Sequence, residues 1–178
     1  MYWHSVFSPI HTQASGYGAA IEYVLNTKKD EKILEKDEFN KISTQLLSVI
    51  EGYKNVYNLD TISNLENNIQ RLNFLSNTKL KKKRFKELGI DTNTFENKLW
   101  QLRHDSAHGN DSTSSKTFVQ LVREIHGFQS LCNRVILKHL NLSNYYYDYY
   151  NYSFPINEIT KSIEDLEETQ ELTENNPQ

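Results

Sequence analysis

FVQLVREIHGFQSLCNRVILKH, residues Phe118 to His139, is the stretch that decides the fold of this 178-residue chain. Phe118, Leu121, Val122, Ile125, Phe128, Cys132, Val135 and Ile136 recur mostly at intervals of three and four, the spacing that lines one face of a helix. No proline interrupts the run, so the stretch predicts the longest helix of the chain, with that face in a core.

Working outward, Asn93 and Glu96 offer a capping box for a preceding helix whose Phe95, Leu99 and Leu102 face inward, and Asp111 to Ser115 reads as a polar turn. Lys79 to Leu88 reads as a short basic helix ended by Gly89. Another helix is expected from about Thr61, with Ser63 and Glu66 as its capping box and Ile62, Leu65, Ile69 and Leu72 on one face. Earlier still, Phe39, Ile42, Leu46, Val49, Ile50 and Tyr53 form an apolar stripe after the charged linker Lys28 to Lys36. Tyr17, Ala20, Ile21, Val24 and Leu25 form another. Residues 1–13, with Trp3, Phe7 and Pro9, read as an irregular N-terminal arm, residues 14–155 as the helical domain, and residues 156–178 as an acidic helix (Ile159, Ile163, Leu166) and tail. No segment alternates at period two. The expected fold class is therefore all-α, an antiparallel helical bundle with short connections.

Composition narrows the function classes. Net charge is −3, but residues 156–178 hold seven acids against Lys161 alone, which leaves the body at +3. A strongly basic nucleic-acid binder is excluded, and any RNA contact must be local. Cys132 is the only cysteine, so there is no internal disulfide and no multi-cysteine zinc site; its place in an apolar pattern predicts an inert core thiol. No apolar run approaches the roughly 20 residues a bilayer span needs, and the N-terminus lacks the regions of a signal peptide. The expected location is cytoplasmic, with no membrane partner.

Arg103-His104-Asp105-Ser106-Ala107-His108, closed by Gly109, concentrates the chemistry. Arg103 is a permanent cation suited to phosphate oxygens. His104 and His108 titrate near neutral pH, so an imidazole there can take a proton from a hydroxyl and later return it to a leaving oxygen. These are the groups that metal-free RNA cleavage needs. The bland alternative is that Arg103 and Asp105 belong to a surface ion-pair set and the two histidines are polar residues at a helix end.

An Arg followed by a polar residue and, a few positions on, by His and Gly resembles the signature of the HEPN superfamily of prokaryotic ribonucleases. With Leu99-Trp100-Gln101-Leu102 before it and Gly109-Asn110 after, it looks most like the ApeA-type abortive-infection group. The resemblance covers about residues 37–142. It implies an HEPN-like bundle paired about a two-fold axis, metal-independent ribonuclease activity in antiphage defence, and no cofactor. By residue, it implies His108 as general acid or base, Arg103 holding the phosphoryl oxygens, and His104 orienting the phosphate or His108. Asp105 is expected in a helix-end ion pair, and Ser106 has no assigned part. ApeA-type proteins usually carry a further domain upstream, so the chain is expected to be either a stand-alone member or a fragment. A regulatory domain or an antitoxin is the further partner implied. HEPN toxins paired with a nucleotidyltransferase antitoxin commonly have Tyr two places after the motif His, where this chain has Asn110, which favours the abortive-infection branch.

On an ideal helix Arg103 and His108, five positions apart, point about 140° from each other. One protomer cannot easily close both on one phosphate unless the helix unwinds near Gly109, and the two-fold pairing that the resemblance implies supplies the answer, because two motifs then meet across the axis. His104 and His108 also stand at i and i+4, a spacing that can present two imidazoles to a metal. With no Glu between them and no evident third ligand, no metal site is assigned. The rival function is a non-catalytic HEPN-like RNA- or protein-binding helical dimerisation module.

Three further features remain. Lys79, Lys81, Lys82, Lys83, Arg84 and Lys86 form the dense basic cluster, with Lys81, Lys82, Lys83 and Arg84 the expected RNA-backbone contacts and a solvated helix face the alternative. Tyr145-Tyr146-Tyr147-Asp148-Tyr149-Tyr150, with Tyr152 and Phe154, is expected to pack against the bundle, base stacking being the other use of such a run. His126 and His139 are expected to be structural.

Overall fold

The computed structural model describes residues 2–26, 30–108 and 116–164, without the side chain of His108. Asp111 to Ser115, Gly109, Asn110, Lys28, Leu166 and the acidic tail beyond Glu164 lie outside the described residues. Seven helices are present among the described residues: α1 (Tyr2–Val6), α2 (Ile10–Val24), α3 (Lys36–Glu51), α4 (Leu59–Arg71), α5 (Asn77–Glu87), α6 (Thr94–His108) and α7 (Phe118–His139). A two-stranded antiparallel sheet follows, β1 (Tyr145–Tyr147) with β2 (Ile156–Glu158), in the register Tyr146 opposite Asn157. The chain divides into two compact units, Met1–Asn26 with Lys82–Gln178, and Thr27–Lys81.

In the larger unit, α7 is the helix its spacing predicts. Thr117 and Gln120 close a reciprocal capping box at its start. Leu121, Ile125, Phe128, Leu131, Cys132 and Val135 are buried, while Phe118 at the first turn is 66 % exposed. The Asn93–Glu96 box also forms, each side chain accepting from the other's backbone N–H. It starts α6, whose Leu99 and Leu102 are buried against α2 and α7. Trp100 meets Phe128 edge-on at 5.2 Å between ring centres, and Glu96 pairs with Arg134, so α6 and α7 run in opposite senses. Cys132 is the inert thiol expected: burial pushes it up to about 12.

Two departures fall in this unit. Residues 1–13 are not an irregular arm, because Tyr2–Val6 is helical and α2 begins at Ile10, directly after Pro9. Proline's fixed φ suits a helix entry, and Thr12 Oγ donates to the Pro9 carbonyl at 2.8 Å. In the segment expected to hold an acidic helix, Ile156–Glu158 form β2 and residues 159–164 are not helical, while the part from Asp165 onward lies outside the described residues. Three-residue strands are too short for alternation to register in sequence, yet β1 shows it, with Tyr146 buried between the exposed Tyr145 and Tyr147.

The smaller unit holds α3 and α4. Asn58, not Ser63, caps α4, its side chain accepting from the Thr61 N–H at 2.8 Å. Phe39, Ile62 and Ile69 are buried. The rest of the predicted stripes is not: Ile42, Leu46, Val49, Tyr53, Leu65 and Leu72 are exposed. Helical spacing identifies an apolar face without saying what covers it. Asn73 ties the start of the unit to its end, accepting from the Leu34 N–H and donating to the Leu34 carbonyl. The chain leaves through α5, which stops where Gly89 adopts φ +65°, a left-handed conformation that glycine takes without penalty.

Candidate functional site

The motif lies wholly on α6, which stays helical through His108. It does not unwind between Arg103 and His108, so the two backbone positions keep the roughly 140° separation of five helical residues.

Arg103 is seated against α2. Its stem crosses Gly18 so closely that a Cβ there would lie 2.3 Å from Arg103 Cγ. One helical turn further on, Glu22 accepts from Arg103 Nη2 at 2.7 Å. Gly18 and Glu22 stand at i and i+4, so one face of α2 supplies both the saddle and the counter-charge. Three residues beyond Arg103, Ser106 Oγ donates to the His11 carbonyl at 2.8 Å. These contacts run 103 to 22 and 106 to 11, so α2 and α6 are antiparallel. Arg103 Nε is buried without a hydrogen-bond partner among the described residues, while about a third of the side chain (31 %) stays exposed. The guanidinium is therefore half-sunk, oriented by one carboxylate, and still open to solvent.

Around it, His104 is exposed. Asp105 accepts from Gln101 Nε2 at 2.8 Å, a helix-surface pair with an amide where a cation was expected. His108 closes the helix, and its imidazole lies outside the described part. Among the described residues no group of three or more His, Cys, Asp or Glu is placed to hold a metal ion.

On α5, Lys82, Lys83 and Lys86 are exposed on one face, whereas Lys81 and Arg84 are half-buried. Arg84 donates to Glu87 at 2.7 Å, and Lys83 lies 3.9 Å from the same side chain. Of the expected RNA contacts, Lys82 and Lys83 stand on the open face together with Lys86. His126 is half-buried and burial lowers its pKa, while His139 sits exposed at the end of α7.

Two features escaped the sequence reading. Glu96 and Arg134 are both fully buried and ion-paired. Arg134 also donates to the carbonyls of Ile159 (3.1 Å) and Asp91 (2.9 Å), and its guanidinium lies 5.3 Å from the Tyr146 ring centre. Glu96 accepts from the Ile163 N–H at 3.2 Å; burial raises its pKa, opposed by Arg134. The signal was an arginine and a glutamate set among core positions of two helices. The second feature is a groove of about 520 Å³ between α1, the end of α7 and β1. It joins Tyr2 and Trp3 to Asn133 and the tyrosines of β1. The tyrosine run thus divides: Tyr146 and Tyr150 pack inward as expected, whereas Tyr145, Tyr147, Tyr152 and Phe154 are exposed.

No helix among the described residues is long and apolar enough to cross a membrane. Comparison with protein-family models, with curated proteins and with solved structures finds no match to this chain.

Proposed function

We propose that the chain is an HEPN-type endoribonuclease, working as a cytoplasmic homodimer in antiphage defence. The seating of Arg103 carries this reading: a half-sunk, partly open guanidinium, fixed by Gly18 and Glu22, on the same helix as His104 and His108. In this mechanism an imidazole, that of His108, takes the proton of a ribose 2′-hydroxyl as its oxygen bonds to the adjacent phosphorus. The P–O5′ bond breaks, the leaving oxygen receives the proton back from the imidazole, and a 2′,3′-cyclic phosphate remains. Arg103 of the other motif steadies the charge on the phosphoryl oxygens, a role worth ~10²–10³ in rate. His104 orients the phosphate or His108, and Lys82 and Lys83 hold the backbone further along the strand. Two-fold pairing answers the helix geometry, since an isologous interface sets each motif beside its mate.

The second reading is a non-catalytic helical module that binds RNA or protein. The Arg103–Glu22 pair favours it, because a matched ion pair is a sufficient structural reason for the arginine. Mixing separates the two. Arg103→Ala and His108→Ala protomers, each inactive alone, should regain part of the cleavage activity when combined, because a mixed dimer holds one intact Arg103–His108 pair across the axis. A strict monomer by light scattering at micromolar concentration, or no recovery on mixing, would contradict the composite site.

A further inference from the structure

The aromatic groove takes none of its lining from α6, and the motif chemistry makes no use of it. Its size, about 520 Å³, falls within the roughly 300–1,000 Å³ of small-ligand sites. Among the described residues no Asp, Glu, Lys or Arg lines it. A phosphate or another charged group therefore finds no counter-charge among them, and with Ile136 and Leu137 beside the aromatic rings the chemistry that fits is uncharged and largely apolar, as the face of a planar base is. Tyr146 floors the groove at 2 % exposure, while Trp3 (69 %), Tyr145 (57 %) and Tyr147 (56 %) leave large ring areas in solvent at its rim. Exposed aromatic area gathered around a recess marks a binding site more often than a bare surface. Rings of this kind stack on planar partners.

Polar groups supply the edge recognition. Gln129 Nε2 donates to the Tyr2 hydroxyl at 3.5 Å, and Asn133 lies beside it in the lining of the groove. An amide has two donors and an acceptor oxygen with two lone pairs, so Asn133 in the lining brings both kinds of hydrogen-bonding group to the groove. Ser143 is committed to the Tyr145 backbone, accepting from its N–H and donating to its carbonyl. The Tyr146 hydroxyl is buried without a hydrogen-bond partner among the described residues.

We propose that this groove is a nucleobase subsite, which stacks one unpaired base of an RNA strand on Trp3 and Tyr147 and reads its edge with Asn133. The choice of an RNA strand rests on the ribonuclease reading; the choice of a base rests on the groove itself.

A labelled 2′-O-methyl oligouridylate, which cannot be cleaved, tests it by fluorescence anisotropy on the full chain, against an abasic oligomer of the same length. Base-bearing strand should bind at least about tenfold more tightly than abasic strand, and Trp3→Ala and Tyr147→Ala should each remove most of that difference. Both side chains are more than half exposed, so the fold should survive, as circular dichroism would report. Free uridine, followed by Trp3 emission in a Trp100→Phe background, should bind far more weakly than the strand. Equal binding of free uridine and strand would overturn the strand as occupant in favour of a nucleoside. Equal binding of abasic and base-bearing strands, or quenching of Trp3 by an aliphatic peptide and not by uridine, would overturn the subsite altogether. Base-dependent binding by a protein that cleaves no RNA would remove the ribonuclease reading and leave the subsite in place.

Discussion

Gly18 lies directly beneath the stem of Arg103, and a Cβ there would overlap it at 2.3 Å from Cγ and 3.2 Å from Cβ. The arginine cannot relieve that overlap by moving its tip, because the clash falls near its own backbone. The glycine in α2 therefore fixes where the motif cation sits.

Gly18→Ala should displace Arg103 from Glu22. Overpacking costs typically 1–3 kcal/mol, partly offset by the ~1 kcal/mol that alanine gains over glycine within a helix. The expected outcome is a loss of up to about 2 kcal/mol by denaturant unfolding, with RNA cleavage falling about tenfold or more. Glu22→Gln keeps an acceptor in place and is the milder change, worth under about 1 kcal/mol for a pair this exposed. A Gly18→Ala protein with unchanged stability and activity would show that the stem has room to move.

Lys82, Lys83 and Lys86 share the open face of α5. Replacing all three by Ala should weaken RNA binding and flatten its salt dependence by up to about two units of slope, at roughly 0.7 per phosphate contact on a single strand. Cleavage at saturating RNA should survive. Arg84→Ala, which loses a residue already bonded to Glu87, should change the slope less. An unaltered slope in the triple variant returns the cluster to a solvated face.

Glu96 and Arg134 are buried together, so removing one partner strands the other's charge. Arg134→Met should cost about 3–5 kcal/mol and loosen the segment from Ile159 to Ile163 that this pair anchors. The double variant Glu96→Gln/Arg134→Met, which strands no charge, should recover part of that loss. A double variant no more stable than Arg134→Met would mean that the lost backbone bonds, and not the charge, dominate.

Much of the larger unit was legible in the sequence because its helices are long and their faces are covered: α7, the Asn93–Glu96 cap and the Gly89 stop follow from spacing and backbone chemistry. The smaller unit was legible only as apolar stripes, since Ile42, Leu46 and Val49 carry the helical period yet stand in solvent. Tyr2–Val6 and β2 were missed because each spans too few residues for a period to emerge, and tertiary contacts decide them. For the site, the motif gave Arg103, His104 and His108. Its partners Gly18 and Glu22 lie about eighty residues upstream on another helix, where no local pattern points to them. Arg134 was hidden in plain view, because a charged residue at a core position reads as a break in the stripe until its buried partner is known.

The most direct test is cleavage of mixed RNA by the purified chain in EDTA, with analysis of the new ends, for wild type, Arg103→Ala, His108→Ala and the double variant. Wild type should cut without added metal and leave 2′,3′-cyclic phosphates. Each single variant should lose roughly two orders of magnitude or more while remaining helical, and the double should lose little beyond that, because groups acting as one unit fail together. Activity that vanishes in EDTA and returns with zinc or manganese would contradict the mechanism, and full activity in both single variants would take the motif out of catalysis.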